Sequence, residues 1–271
     1  MSTIAAKGLK LPLVGLGTWA LRGKECARLV EQAIRAGYRH IDTAQMYENE
    51  AAVGEGVRAS GHRNDVIITT KVAPTALAPH DLERSVKESL AKLRVDFIDL
   101  LLIHWPNPWQ GRFVDAWRGM LRLREEGSVR AIGVSNFLPK HIDELLAATG
   151  VAPEVNQIEL DPTLPRGEWR AYHSRHGIHS VGWSPLGRGG DLLRDPIVLE
   201  LADLHGKSPA QIVLRWQIEI GTGFVARSSD RERIAQNLDL FDFALGSEGM
   251  RRLAALDQGR QPARDPESHG H

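Results

Sequence analysis

Residues 38–50 read YRHIDTAQMYENE. An apolar run too short for a helix ends on an acid, Asp42, and a lone tyrosine, Tyr47, follows five residues later. A phenol titrates near pH ~10, so setting one beside a carboxylate makes sense where its proton is used. The form of this run, an apolar body with a polar or aromatic end, recurs along the chain. LVGLGTW, VIITTKV, DFIDLLLIHWP, VRAIGVSNF, EVNQIEL, HSVGWSP and GFVARSS deliver Trp19, Lys71, His104, Ser135–Asn136, Gln157, Trp183–Ser184 and Arg227–Ser228. Between the runs lie amphipathic stretches such as KECARLVEQAIRAG and PKHIDELLAATG, several closing on glycine as helix C-termini do.

Strands alternating with helices pair in parallel through crossovers. Two α/β architectures satisfy this, a closed (β/α)8 TIM barrel and an open doubly wound sheet. The count of eight runs favours the barrel, and so does the delivery of polar groups to the carboxyl ends of strands, the functional face of such barrels. A barrel commonly fills about 250 residues as one unit. The expectation is therefore a single domain over residues 1–271 with an irregular polar tail at 258–271. LKLPL, ahead of the first run, reads as half of a hairpin plugging the opposite end.

Composition narrows the partners. Lys plus Arg equals Asp plus Glu at 34 each, which gives no support to nucleic acid or an anionic membrane. The first ten residues lack the apolar core of a secretion signal, and no apolar stretch reaches membrane-spanning length. The single cysteine, Cys26, excludes an internal disulfide and fits a reducing compartment. A cytoplasmic protein, monomeric and acting on a small molecule, is expected. GLGTWA matches the loose dinucleotide fingerprint G-x-G-x-x-A, but LRGK follows it where a helix should start, so a Rossmann reading is not adopted.

Asp42, Tyr47, Lys71 and His104 come from three successive runs, whose ends converge because neighbouring strands lie about 5 Å apart. An ammonium beside a phenol favours the phenolate and lowers its pKa. Lys71 supplies that charge, Asp42 holds it, and His104 offers an imidazole N–H to a substrate oxygen. The set suits protonation of an oxyanion formed at a carbonyl carbon. Singly, each has an ordinary alternative: a helix cap, a packed tyrosine, a surface lysine, a core histidine.

GYRHIDTAQMYENE, TTKV, DLLLIHWP, GVSNF, VNQIE, GWSPLG and ARSSDRERIAQN together resemble the aldo-keto reductase family in order and spacing, over nearly the whole chain. The short tail is more similar to bacterial members such as 2,5-diketo-D-gluconate reductases than to long-tailed animal ones. The resemblance implies a (β/α)8 barrel that binds NADPH/NADP+ without a Rossmann fold and reduces an aldehyde, ketone or keto-sugar carbonyl to the alcohol. It implies Asp42, Tyr47, Lys71 and His104 as the catalytic set, with Tyr47 as proton donor. By the same match Ser135, Asn136 and Gln157 hold the nicotinamide carboxamide, and Trp183 stacks on the ring where relatives often have tyrosine. Thr18, Trp19, Ser184 and Leu186 complete the cofactor channel, and Trp19 and Trp105 wall the substrate pocket with Tyr47 and His104. Pro108, Trp109 and the tail shape the rest of that pocket.

In ARSSDRERIAQN, Ser229 followed by Glu232 forms a capping-box pattern, so a helix should begin there and attract an anion. Arg227, Ser228 and Arg233 surround that start as a seat for the adenosine 2′-phosphate. Gln236 stands where the family more often has Glu, and Asn237 matches. His173, His176 and His179 recur every three residues, but Gly177 should break the helix and no metal is expected there. A non-catalytic NADP(H)-binding regulator on the same fold is the alternative reading.

Overall fold

The computed structural model describes residues 3–6, 9–257 and 259–269. Two short strands, β1 (Thr3–Ala6) and β2 (Leu9–Pro12), form an antiparallel hairpin. Eight strands follow: β3 (Val14–Gly17), β4 (His40–Asp42), β5 (Ile67–Val72), β6 (Ile98–Ile103), β7 (Val129–Ser135), β8 (Val155–Glu159), β9 (His179–Trp183) and β10 (Gly223–Ala226). They pair in parallel in chain order, and β10 joins both β9 and β3 to close the barrel. Each coincides with one of the runs expected from sequence.

Helices occupy the crossovers, and their local chemistry explains where they stop and start. Gly23–Ala36 ends on Gly37 with φ 117°, a left-handed conformation glycine adopts without a Cβ penalty. Pro79–Leu93, Pro139–Thr149 and Pro209–Glu219 each begin on a proline, whose missing N–H would have had no helical partner there. Ser208 and Gln211 add a reciprocal capping box at the last of these. Among the described residues no helix is long and apolar enough to cross a membrane.

The two-residue period of the strands divides the core. Ile41, Ile68, Leu101, Ile103, Ile132 and Val134 join the layer between barrel and helices. Leu100, Leu102, Ala131, Val155, Val181 and Val225 form a separate interior cluster, and Leu9 and Leu11 of β2 pack into it. The hairpin thus plugs the barrel next to the amino end of β3. Gly15, in the GLGTWA stretch, belongs to this interior: a Cβ there would lie 2.6 Å from the His40 Nδ1 atom, so the position must stay bare. The loose nucleotide fingerprint is a barrel-packing feature, and the next helix starts only at Gly23.

Candidate active site

Asp42 closes β4, and Lys71 points inward from the neighbouring β5. Lys71 is fully buried and donates to Asp42 Oδ1 at 2.6 Å and to the Thr43 carbonyl at 2.9 Å. The second carboxylate oxygen accepts Gln157 Nε2 at 2.7 Å, from β8 across the barrel. Burial works against the ammonium, but Asp42 and Tyr47, through charge and hydrogen bonds, together outweigh it and hold Lys71 above its ordinary value.

Tyr47 ends a single 3-10 turn, Gln45–Tyr47, and Glu48 stops that turn at φ 52°. Residues that sequence reasoning missed hold the turn still. Gln45 accepts the Ala73 N–H at 2.8 Å and donates to Ser85 and Ser89 on the helix behind. Asn49, buried, donates to the Thr18 and Leu21 carbonyls and accepts the Thr43 hydroxyl at 2.7 Å. Polar side chains on either side of Tyr47, ahead of a helix, are the sequence signal for such a brace. Tyr47 itself is half-buried, with Lys71 Nζ 5.0 Å from its ring centroid and the buried His104 ring edge-on at 5.7 Å. The four expected groups therefore meet at one rim.

One expectation is corrected. Burial raises the Tyr47 phenol above its usual range, and the opposing pull of Lys71 does not reverse this. The physical reason is enclosure of the phenol, to which the Asp42 carboxylate adds, while the charge and hydrogen bond of Lys71 pull the other way. The resting pair is a neutral phenol beside a charged lysine, the protonation state a proton donor requires.

The next strand ends form one network. Ser135 Oγ donates to the Gln157 carbonyl at 2.9 Å. Asn136, in a left-handed conformation at φ 63°, donates to Ser135 Oγ at 3.0 Å and to the His104 carbonyl at 3.1 Å. Trp183 Nε1 donates to Asn136 Oδ1 at 2.8 Å, and its ring remains partly exposed. Ser135, Asn136 and Gln157 are thus a pre-tied group, with Gln157 also orienting the Asp42 carboxylate. Thr18 is different: it is fully buried, its hydroxyl donates to the Asp42 carbonyl at 2.9 Å, and its side chain has no surface to offer a ligand. Trp19 stands 58% exposed with the Arg227 guanidinium 5.7 Å from its ring centre. Ser184 (φ 50°) and Leu186 are half-buried, and Gly187 and Gly189 take left-handed turns in the loop beyond.

The helix in ARSSDRERIAQN runs Arg231–Gln236 and is capped by Asp230, not Ser229. The Asp230 carboxylate accepts the Glu232 and Arg233 N–H groups at 2.8 and 3.1 Å, occupying donors expected to face a phosphate. Ser228 is also engaged, its hydroxyl donating to the Asp230 carbonyl. Arg227, Arg233 and Gln236 remain exposed, whereas Asn237 is buried beside the Tyr38 phenol. Positive charge at this corner comes from side chains.

The described part of the tail, expected to be irregular and polar, is fastened to the same rim. Arg260 bonds Glu159 at 3.2 Å and Asp161 at 2.9 Å, and the Ala263 N–H donates to Glu159 at 2.9 Å. Glu267 meets Lys140 and His141, and the His269 ring stands edge-on to Trp105 at 4.8 Å. Trp105 is buried.

Of the three spaced histidines, His173 has a packing role. His173, fully buried, meets Ser180 Oγ through Nδ1 at 2.8 Å and the Asn156 amide through Nε2 at 3.0 Å. The same Asn156 nitrogen donates to the Phe137 carbonyl, so Nε2 must accept and the ring must be neutral. Burial lowers the His173 and His40 pKa values to about 4 each. Both sit below an unfolded value near 6.5, so their contribution is complete above that pH and is lost as pH falls toward 4. Stability should drop by on the order of 2 kcal/mol per ring between pH 7 and 4.5. Urea unfolding across that range checks this, and His173→Gln should flatten the slope; an unchanged slope contradicts the assignment. Cys26 is buried, its thiol pushed up to about 11, and is inert.

A family model described as the aldo/keto reductase family matches residues 13–258. The 2,5-diketo-D-gluconic acid reductase B of a Corynebacterium species is 44% identical, over 94% of this chain and 92% of that protein. Methylglyoxal reductase DkgA of Salmonella typhimurium is 41% identical, over 97% and 96% respectively. Among solved structures, an aldo/keto reductase from Brucella melitensis matches with TM-score 0.91 at 41% identity, covering 94% of this chain and 97% of that one. A Gox0644 mutant in complex with NADPH matches with TM-score 0.95 at 36% identity, covering 99% and 98%.

Proposed function

The chain belongs to the aldo/keto reductase family, and from that premise we propose how its rim residues divide the work of reducing a carbonyl. The protein is an NADP(H)-dependent oxidoreductase that converts a small aldehyde, ketone or keto-sugar to the alcohol. The single observation carrying the assignment of roles is the convergence of Tyr47, Lys71, Asp42 and His104 at the carboxyl ends of adjacent strands.

The residues present fit a nicotinamide dinucleotide phosphate: a partly exposed Trp183 ring, the Asn136 amide bonded to it, the Gln157 amide at Asp42, and two exposed guanidinium groups at Arg227 and Arg233. Bound there, the reduced cofactor supplies the hydride. Trp183 offers a flat face, and Ser135, Asn136 and Gln157 fix which way the carboxamide turns. His104 Nε2 orients the substrate oxygen next to the Tyr47 hydroxyl. Tyr47 gives its proton to the oxygen as negative charge develops, and Lys71 stabilises the phenolate left behind. Asp42 keeps the ammonium protonated and aimed. Trp19 and Trp105 exclude water from this corner. In this reading the chain acts as a monomer, because every group it needs belongs to one polypeptide.

Arg233 and Arg227 select the 2′-phosphate through their side chains, because Asp230 already occupies the Glu232 and Arg233 N–H groups. Arg233→Ala should raise the KM for NADPH about tenfold, the size of a lost charge-assisted contact, and leave that for NADH unchanged. Steady-state kinetics with both cofactors tests this, and equal preference in the wild type removes the idea. A panel including methylglyoxal and 2,5-diketo-D-gluconate narrows the substrate.

A further inference from the structure

We propose that Trp19 is a positioning residue for the cofactor's phosphate: its ring carries the Arg227 guanidinium, so one indole both walls the substrate pocket and sets the preference for NADPH over NADH. This rests on the seat for the adenosine 2′-phosphate proposed above and names what holds one of its two cations in place. β10 and β3 are neighbours in the barrel, with Ala226 level with Leu16, so the residues that follow them leave the rim side by side. Where the chain passes Gly17, a Cβ would stand 3.6 Å from the Arg227 backbone nitrogen. Two residues further on, the Arg227 guanidinium carbon lies over the Trp19 ring, 5.7 Å from its centre. That is within reach of a cation–π contact.

The turn that carries the ring is held on both sides. The Thr18 N–H and hydroxyl both donate to the Asp42 carbonyl, at 3.0 and 2.9 Å. Asn49 Nδ2 donates to the Thr18 and Leu21 carbonyls at 2.8 and 3.1 Å, and the Leu21 N–H closes the turn onto the Thr18 carbonyl at 3.0 Å. Ala20 takes φ 64° to make that turn. Trp19 thus stands at the tip of a fixed turn, its ring largely exposed. Ordering a long arginine side chain costs binding free energy, and a platform on which it already lies removes part of that cost. Stacking engages the flat face of a guanidinium and leaves its N–H edge to phosphate oxygens. The help is needed here, because Asp230 occupies the Glu232 and Arg233 N–H groups and side chains must hold the phosphate.

The test measures dissociation constants for NADPH and NADH by titration calorimetry. Trp19→Leu should weaken NADPH by about three- to tenfold, the range of a cation–π contact, and leave NADH within about twofold. Trp19→Phe, which keeps a π face, should retain most of the NADPH affinity. In an Arg227→Ala background Trp19→Leu should cost nothing further, because the platform then carries nothing. The fragment 2′,5′-ADP, which lacks the nicotinamide half and does not reach the substrate wall, should follow NADPH, and 5′-AMP should follow NADH. An equal loss for NADPH and NADH, no loss for either, or a Trp19→Leu effect that persists undiminished without Arg227 overturns the proposal while leaving the reductase reading intact. A wild type that binds NADPH and NADH equally overturns the phosphate seat and the proposal together.

Discussion

Tyr47→Phe lowers kcat for carbonyl reduction by about 10²–10⁴-fold, the usual share of a positioned general acid, and leaves the Kd for NADPH unchanged. The substitution removes one oxygen and keeps the ring, so the edge contact with His104 and the place over the Lys71 ammonium survive. The turn survives as well, because Gln45 and Asn49 fix it independently of the phenol. What disappears is a neutral donor beside a cation that stabilises its conjugate base. His104 is no substitute. Its ring is buried and edge-on to the phenol, and an imidazole that protonates the product must be charged first, in a site that already contains Lys71. Fluorescence titration with NADPH and single-turnover reduction of an aldehyde measure the two quantities separately. Near-wild-type turnover would remove Tyr47 from the chemistry, and a wild type that binds NADPH but consumes none with any carbonyl would favour the regulatory alternative.

The strands were legible because each is a short, nearly uninterrupted apolar run with a polar end, a pattern a buried parallel barrel demands. The rim residues were legible for the same reason, since the two-residue period aims Asp42, Lys71, Ser135 and Gln157 at one cavity. Interactions between distant positions were not. Gln157 reaches Asp42 across 115 positions and Arg260 reaches Glu159 across 101, and nothing local in either segment signals the partner. The cap at Asp230 was displaced by one because Ser229 and Asp230 are both good caps, and Glu232 completes the box only for the first. The direction of the Tyr47 shift depended on how much of the phenol is enclosed and how near the Asp42 carboxylate lies to it. Both are products of packing, which a list of neighbouring charges does not contain.

The hold of Asp42 on Lys71 leads to the second large effect. Asp42→Leu should destabilise the protein by about 3–5 kcal/mol, because it strands a fully buried ammonium without its counter-charge. Lys71→Met should cost less, since the Gln157 amide still donates to the carboxylate left behind. The double variant should recover much of the loss, as apolar replacements of a buried ion pair commonly equal it in stability. Activity should not follow stability: with neither ammonium nor carboxylate, nothing stabilises the Tyr47 phenolate, and kcat stays as low as in Lys71→Met. The pH dependence carries a sign of its own. The folded Lys71 pKa lies above the ordinary 10.5, so the pair's stabilisation is complete below that value and fades as pH rises through the folded one. The advantage of wild type over Lys71→Met should therefore shrink in strongly alkaline urea melts. Strictly additive losses in the double variant would mean that the two side chains do not hold each other, and the electrostatic account of the phenol would have to be abandoned with them.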